Sequence, residues 1–161
     1  MNADALLIST DEIQSALGPT VRLTDSRKPG QVQAVGDLIG AAAIETAFHS
    51  VNGVYASESG ESAIAVGTMA LVFDSERRAA STFNSVGEAA HLRTRLGNSM
   101  VAVETVTAPS GLVSYWGYVH YGAVIVIVTL DTLDPQRISM TEFRALVTLA
   151  ASRLERRVGA S

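Results

Sequence analysis

The alternation of apolar and polar positions is clearest in the last third of this chain. Residues 111–131, GLVSYWGYVHYGAVIVIVTLD, hold two runs of β-branched and aromatic residues that break near His120, Tyr121 and Gly122. Such runs suit a pleated, half-buried surface, and the glycine between them supplies a turn, so the stretch predicts a β-hairpin. Residues 139–158, SMTEFRALVTLAASRLERRV, place Phe143, Leu146, Val147, Ala150, Leu154 and Val158 on one helical face. Ser139 and Glu142 form a capping-box pair ahead of it, and the arginines near its end suit the negative pole of the helix. The terminal helix is predicted to cover the inner face of the hairpin.

The same reading upstream predicts a helix over Thr10 to Leu17, with Ser9 and Glu12 as a capping box and Gly18-Pro19 as its stop. A brief strand over Thr20 to Leu23 and a polar loop over Asp25 to Gln33 follow. Gly36 to Phe48, with Ala41, Ala42 and Ala43 inside, reads as a buried, Ala-lined segment with weak helical character. Gly53 to Ser57 and Ser62 to Phe73 predict paired strands. The second is apolar on both faces, which places it centrally in a sheet. Asp74 is the expected cap of a helix from Ser75 to about Leu96, carrying Ala79, Phe83, Val86 and Ala90 as its stripe and ended by Gly97-Asn98. Met100 to Thr107 is a further strand. Hairpins interrupted by helices predict one α+β domain spanning residues 1–161, an antiparallel sheet with helices packed on one face.

Composition narrows the function classes. Apolar residues make up 47% of the chain, which excludes a disordered protein. The net charge is −4 and no basic stripe appears, so nucleic acid is not an expected partner. Absence of cysteine removes disulfides, thiolate metal sites and cysteine nucleophiles together. The longest apolar run, Ala123 to Val128, is too short to span a bilayer.

Candidate chemistry is sparse. His49, His91 and His120 stand in separate segments without metal-ligand spacing, so no metal site is expected. No G-x-S-x-G elbow and no P-loop is present, and Gly36-x-x-x-Gly40 suggests packing rather than phosphate binding. The acid pairs Glu58/Glu61 and Asp131/Asp134 lack calcium-loop spacing and read as solvated loop acids. No catalytic residue is expected. The aromatic residues are the exception: of nine in the chain, Tyr115, Trp116, Tyr118 and Tyr121 fall within seven positions. Strand alternation puts Tyr115 and Tyr121 on one face and Trp116 and Tyr118 on the other. Such side chains pair apolar area with a polar handle, and they serve either as a cross-strand ladder or as a binding surface. Trp116 and Tyr118, together with Tyr55, are the candidate ligand-binding residues.

Four local patterns carry a family resemblance. They are Ala5-Leu-Leu-Ile-Ser-Thr-Asp-Glu-Ile13 closing at Gly18; Gly53-Val-Tyr55 with Ser57; Phe73-Asp-Ser-Glu-Arg-Arg-Ala-Ala80; and Gly122-Ala-Val-Ile-Val-Ile-Val128 followed by the terminal helix. In order and over most of its length, the chain resembles the extracytoplasmic sensor-type domain of actinobacterial, chiefly mycobacterial, lipoproteins and of the outer part of a mycobacterial Ser/Thr protein kinase. It departs from that pattern in lacking the paired cysteines, with Leu38 and the region around His91 holding none, and in having Ala123 where Asn is usual. The resemblance implies a non-enzymatic, membrane-tethered domain of the cell envelope. Such a domain needs no cofactor and binds a small molecule or an envelope component. Two other readings stay open. One is a cytosolic protein that starts natively at Met1 and dimerises through the edge of the C-terminal hairpin. The other is a small carrier with an apolar cavity between sheet and helix.

Overall fold

A computed structural model describes residues 1–24, 39–58 and 60–160. Seven strands form a single antiparallel sheet in the order β1-β2-β3-β7-β6-β5-β4. These are β1 (Val21–Thr24), β2 (Glu45–Ser57), β3 (Gly60–Val72), β4 (Leu92–Leu96), β5 (Ser99–Thr107), β6 (Val113–Tyr121) and β7 (Val124–Thr132). Two meanders, β1–β3 and β4–β7, meet where β3 pairs with β7 through Ile64↔Thr132 to Val72↔Val124. The helices are α1 (Thr10–Leu17), α2 (Glu76–Val86) and α3 (Met140–Val158). The α+β class read from the sequence is therefore borne out.

The placement of helices on one face is corrected. The N-terminal 3-10 turn Ala3–Leu6, α1 and α3 cover one face, where Phe143, Leu146 and Leu154 pack against Tyr115, Val126 and Val128. Helix α2 lies on the other face, its Ala79 and Phe83 against Leu71, Trp116 and Ile127. The connection dictates this: β3 is central and β4 is at the far edge, so the chain must cross the sheet on the side its neighbours leave open. Cover on both faces also explains why β7 is buried along nearly its whole length, including both sides of the Val124–Val128 run.

Local capping agrees with expectation at α1 and α3, where the Ser9/Glu12 and Ser139/Glu142 boxes both form. At α2 the cap is Ser75, whose extended backbone lets its hydroxyl accept from the Arg78 N–H, while Asp74 pairs with the Arg78 guanidinium at 2.7 Å. The helix ends at Val86, well short of Leu96. Leu92–Leu96 instead joins β5 through Leu92↔Val103 to Leu96↔Ser99, and Gly97 turns this hairpin. The predicted Ala-lined segment also changes: Glu45 onward is strand β2, paired in register with β3 from Glu45↔Val72. The predicted Asp25–Gln33 loop and the start of the Gly36–Phe48 segment lie outside the described residues. Both strands of the C-terminal hairpin are interior to the sheet, so that hairpin offers no free edge for dimerisation; the outer strands are β1 and β4.

Two polar contacts tie α3 to the rest of the domain. Arg153 donates to the Glu12 carboxylate and to the Leu7 carbonyl, linking α3 to α1 and the chain's start. Near the helix end, Glu155 Oε1 accepts from the Asn98 N–H (2.8 Å), the Ser99 N–H (3.0 Å) and the Ser99 hydroxyl (2.9 Å). Gly97 makes this approach feasible. Its φ of +62° suits the turn, and a Cβ there would stand 2.6 Å from that same oxygen. The Ser99 hydroxyl, opposed by slight desolvation and aided by the two N–H donors, holds the Glu155 carboxyl below its ordinary value. A carboxyl whose folded value is depressed stabilises fully above its unfolded value of 4.5 and loses that contribution as pH falls through the folded one. Glu155→Gln is expected to flatten the acid side of the stability profile, measured as melting temperature between neutral pH and about pH 3. An unchanged acid slope would mean that Glu155 is not a source of it.

Candidate functional site

The three sequence-derived candidates do not converge. Tyr55 is 2% exposed and points to the face covered by α1 and α3, with its hydroxyl 3.0 Å from Thr132 Oγ1. That bond spans from β2 to β7 over β3, and Thr132 Oγ1 also accepts from the Asp134 N–H. Tyr55 therefore acts in the described structure as a core tie. Trp116 and Tyr118, 7% and 4% exposed, belong to the α2 side, and the full thickness of the sheet separates them from Tyr55. The alternation predicted for the aromatic cluster is observed, since Tyr115 and Tyr121 pack on the α3 side.

Trp116 and Tyr118 line one end of a groove of about 380 Å³ on the α2 side of the sheet, walled by Glu104, Val106, Leu112 and Ser114. Its rim is the β5–β6 turn, closed by Ala108 N–H to Leu112 O (2.8 Å) and Gly111 N–H to Ala108 O (2.9 Å). The register places Glu104 directly opposite Trp116 and Ser114 directly opposite Asp131. Burial, and after it the negative charge of Glu104, push the Tyr118 phenol up to about 12. Tyr118 therefore keeps its proton throughout the physiological range and serves as a hydrogen-bond donor, not a nucleophile.

Asp131 was expected in a solvated loop and is corrected to a strand position. It sits on β7 with Oδ1 buried and, among the described residues, without a hydrogen-bond partner. Burial raises its carboxyl above the ordinary range, and the neighbouring Ser114 hydroxyl offsets part of that rise. A carboxyl raised in the folded state is penalised when ionised, and the penalty disappears as pH falls below its unfolded value of 3.8. Asp131→Asn is expected to raise the melting temperature at neutral pH and to lose that advantage towards about pH 4. A lower melting temperature at neutral pH would mean that a partner holds the carboxylate in its charged form.

Sequence reasoning found Trp116 and Tyr118 by aromatic density but missed Glu104, Ser114 and Asp131. Glu104 did leave a signal: in MVAVETV it is the one acid on a strand face otherwise carrying Met100, Ala102 and Val106.

On the opposite face, Leu92, Leu96, Val101, Val103 and Phe143 line an apolar cleft of about 280 Å³ beneath α3, with Arg144 its only charged residue among those described. A polar hollow of about 670 Å³ near the β2–β3 turn holds Glu58, Asp134 and Arg137, but the Arg137 guanidinium is engaged by the Ala56 carbonyl. The histidines are dispersed. His49 Nε2 lies 3.2 Å from Thr10 Oγ1, His120 stacks on Phe83 at 5.3 Å with Nε2 2.9 Å from the Gly122 carbonyl, and His91 is exposed. Among the described residues no group of three potential metal ligands comes together, and no helix is long and apolar enough to cross a membrane.

No protein-family model and no curated protein matches this sequence. The structure is similar to the crystal structure of the extracellular domain of PknH from Mycobacterium tuberculosis, with a TM-score of 0.57, 11% identity and 95% of each chain covered. At that identity the likeness is one of fold, and it extends over nearly the whole of both chains. This chain thus has the architecture of a mycobacterial extracellular domain, which is the part of the sequence resemblance that the comparison supports.

Proposed function

We propose that this chain is a non-enzymatic binding or sensor domain of the cell envelope, tethered by a segment beyond these residues, whose ligand seats against Trp116 and Tyr118. The groove at Trp116 carries the reading. It offers an aromatic wall, a carboxylate and a hydroxyl at the surface of a sheet that is otherwise packed on that side. The shared fold with an extracellular domain supports the location. Among the described residues the groups that could act in catalysis are separated: Tyr118 is a protonated phenol and His49, His91 and His120 lie in different places.

The test is fractionation of the source cells followed by native mass spectrometry of the recovered protein. The expected result is recovery with the envelope, carrying a non-covalent mass that leaves on denaturation and that Trp116→Ala no longer retains. Recovery with the cytosol would overturn the location, and a bare mass insensitive to Trp116 would overturn the binding role. A second reading, a carrier of small apolar molecules, is favoured by the cleft under α3 and predicts an extractable lipid-like mass that survives Trp116→Ala.

A further inference from the structure

We propose that the Trp116 groove takes an organic cation, a primary or secondary ammonium group on a carbon skeleton that packs on the indole. The inference rests on the groove being the binding site, and it names the chemistry of what binds there.

The argument begins with charge. Glu104 has no ion-pair partner among the described residues, and no cationic side chain lines the groove. Glu104 is the cross-strand partner of Trp116 and lines the same groove, so a cation seated there meets both a carboxylate and an aromatic side chain. The second observation is hydrogen-bond polarity. The Glu104 carboxylate only accepts, so it asks the ligand for N–H donors, which an ammonium group supplies and a quaternary nitrogen does not. An anion would meet the unpaired Glu104 carboxylate with no cationic side chain in the groove to offset it, a built-in rejection of the wrong class. Val106 and Leu112 supply apolar walls for the skeleton.

Trp116 is the chain's single tryptophan, so its emission reports on this groove alone. Phenethylamine is titrated into the intact chain, with phenylacetate as the control of matching shape and opposite charge. The expected result is a saturable change in Trp116 emission with phenethylamine only, and a dissociation constant at least about tenfold weaker in Glu104→Gln, the size of one lost charge-assisted contact. Circular dichroism and the urea midpoint of that variant should match the parent. An equal response to phenylacetate, or an affinity indifferent to Glu104→Gln, would overturn the cation assignment and leave the groove a binding site for another class. Unchanged emission with both probes on the folded protein would overturn the groove as well.

Discussion

Replacing Phe143 with Ala is expected to lower the unfolding free energy by about 3–5 kcal/mol, the range for truncating a buried aromatic side chain. Phe143 is 0% exposed and belongs to the first turn of α3. Its ring stacks on Tyr115 with centroids 5.5 Å apart and planes at 28°. Beneath it lies Gly117 of β6, which has no side chain with which to fill a void. The apolar cleft lined by Leu92 and Val103 already reaches Phe143, so the truncation would enlarge an existing space rather than close on itself. That geometry argues for the upper part of the range, because the cost grows with the residual cavity. Urea denaturation with an unchanged m-value is the measurement. A loss below about 1 kcal/mol would mean that α3 is peripheral to the domain.

Gly117→Val is expected to be costly for the opposite reason. A Cβ at position 117 would stand 2.8 Å from Val147 Cγ2 and 3.0 Å from Phe143 Cζ. Gly117 sits mid-strand, where a β-branched residue would ordinarily be favoured. Intrinsic propensity therefore predicts stabilisation, whereas packing predicts a loss of about 1–3 kcal/mol from overfilling a well-packed site. Contacts of this closeness decide the sign, since α3 must lift or its side chains must leave their rotamers. The second change Val147→Ala should recover part of the loss, and the coupling in a double-mutant cycle would locate the clash. Additive losses would mean that Val147 is not what Gly117 makes room for.

How much of this protein could be read in advance depends on the range of the forces involved. The capping boxes at Ser9/Glu12 and Ser139/Glu142 are contacts between residues three apart, and both helices they start are where the sequence puts them. The hairpin at Gly122 is equally local: two β-forming runs and one residue able to adopt φ of +58°. The candidate site was half legible. Trp116 and Tyr118 stand out as a cluster, whereas Glu104 comes opposite Trp116, and Asp131 opposite Ser114, only through the pairing of β5 with β6 and β6 with β7.

Local patterns along the chain dictate the α+β class, the terminal amphipathic helix, the C-terminal hairpin and the segregation of its aromatics onto two faces. These follow from periodicities of two and of three to four residues along a short stretch of chain. Tertiary structure decided the rest. Glu45–Phe48 is strand because β3 offers it a ladder that outweighs the weak helical preference of the alanines before it. Leu92–Leu96 is strand because β5 needs a partner, although the apolar spacing of α2 could have continued past Val86. Tyr55 is a core tie and Asp131 a half-buried acid because β3 and β7 meet at the centre of the sheet with helices on both sides. Local propensities differ by less than about 1 kcal/mol per residue, and a completed ladder or a buried face outweighs them.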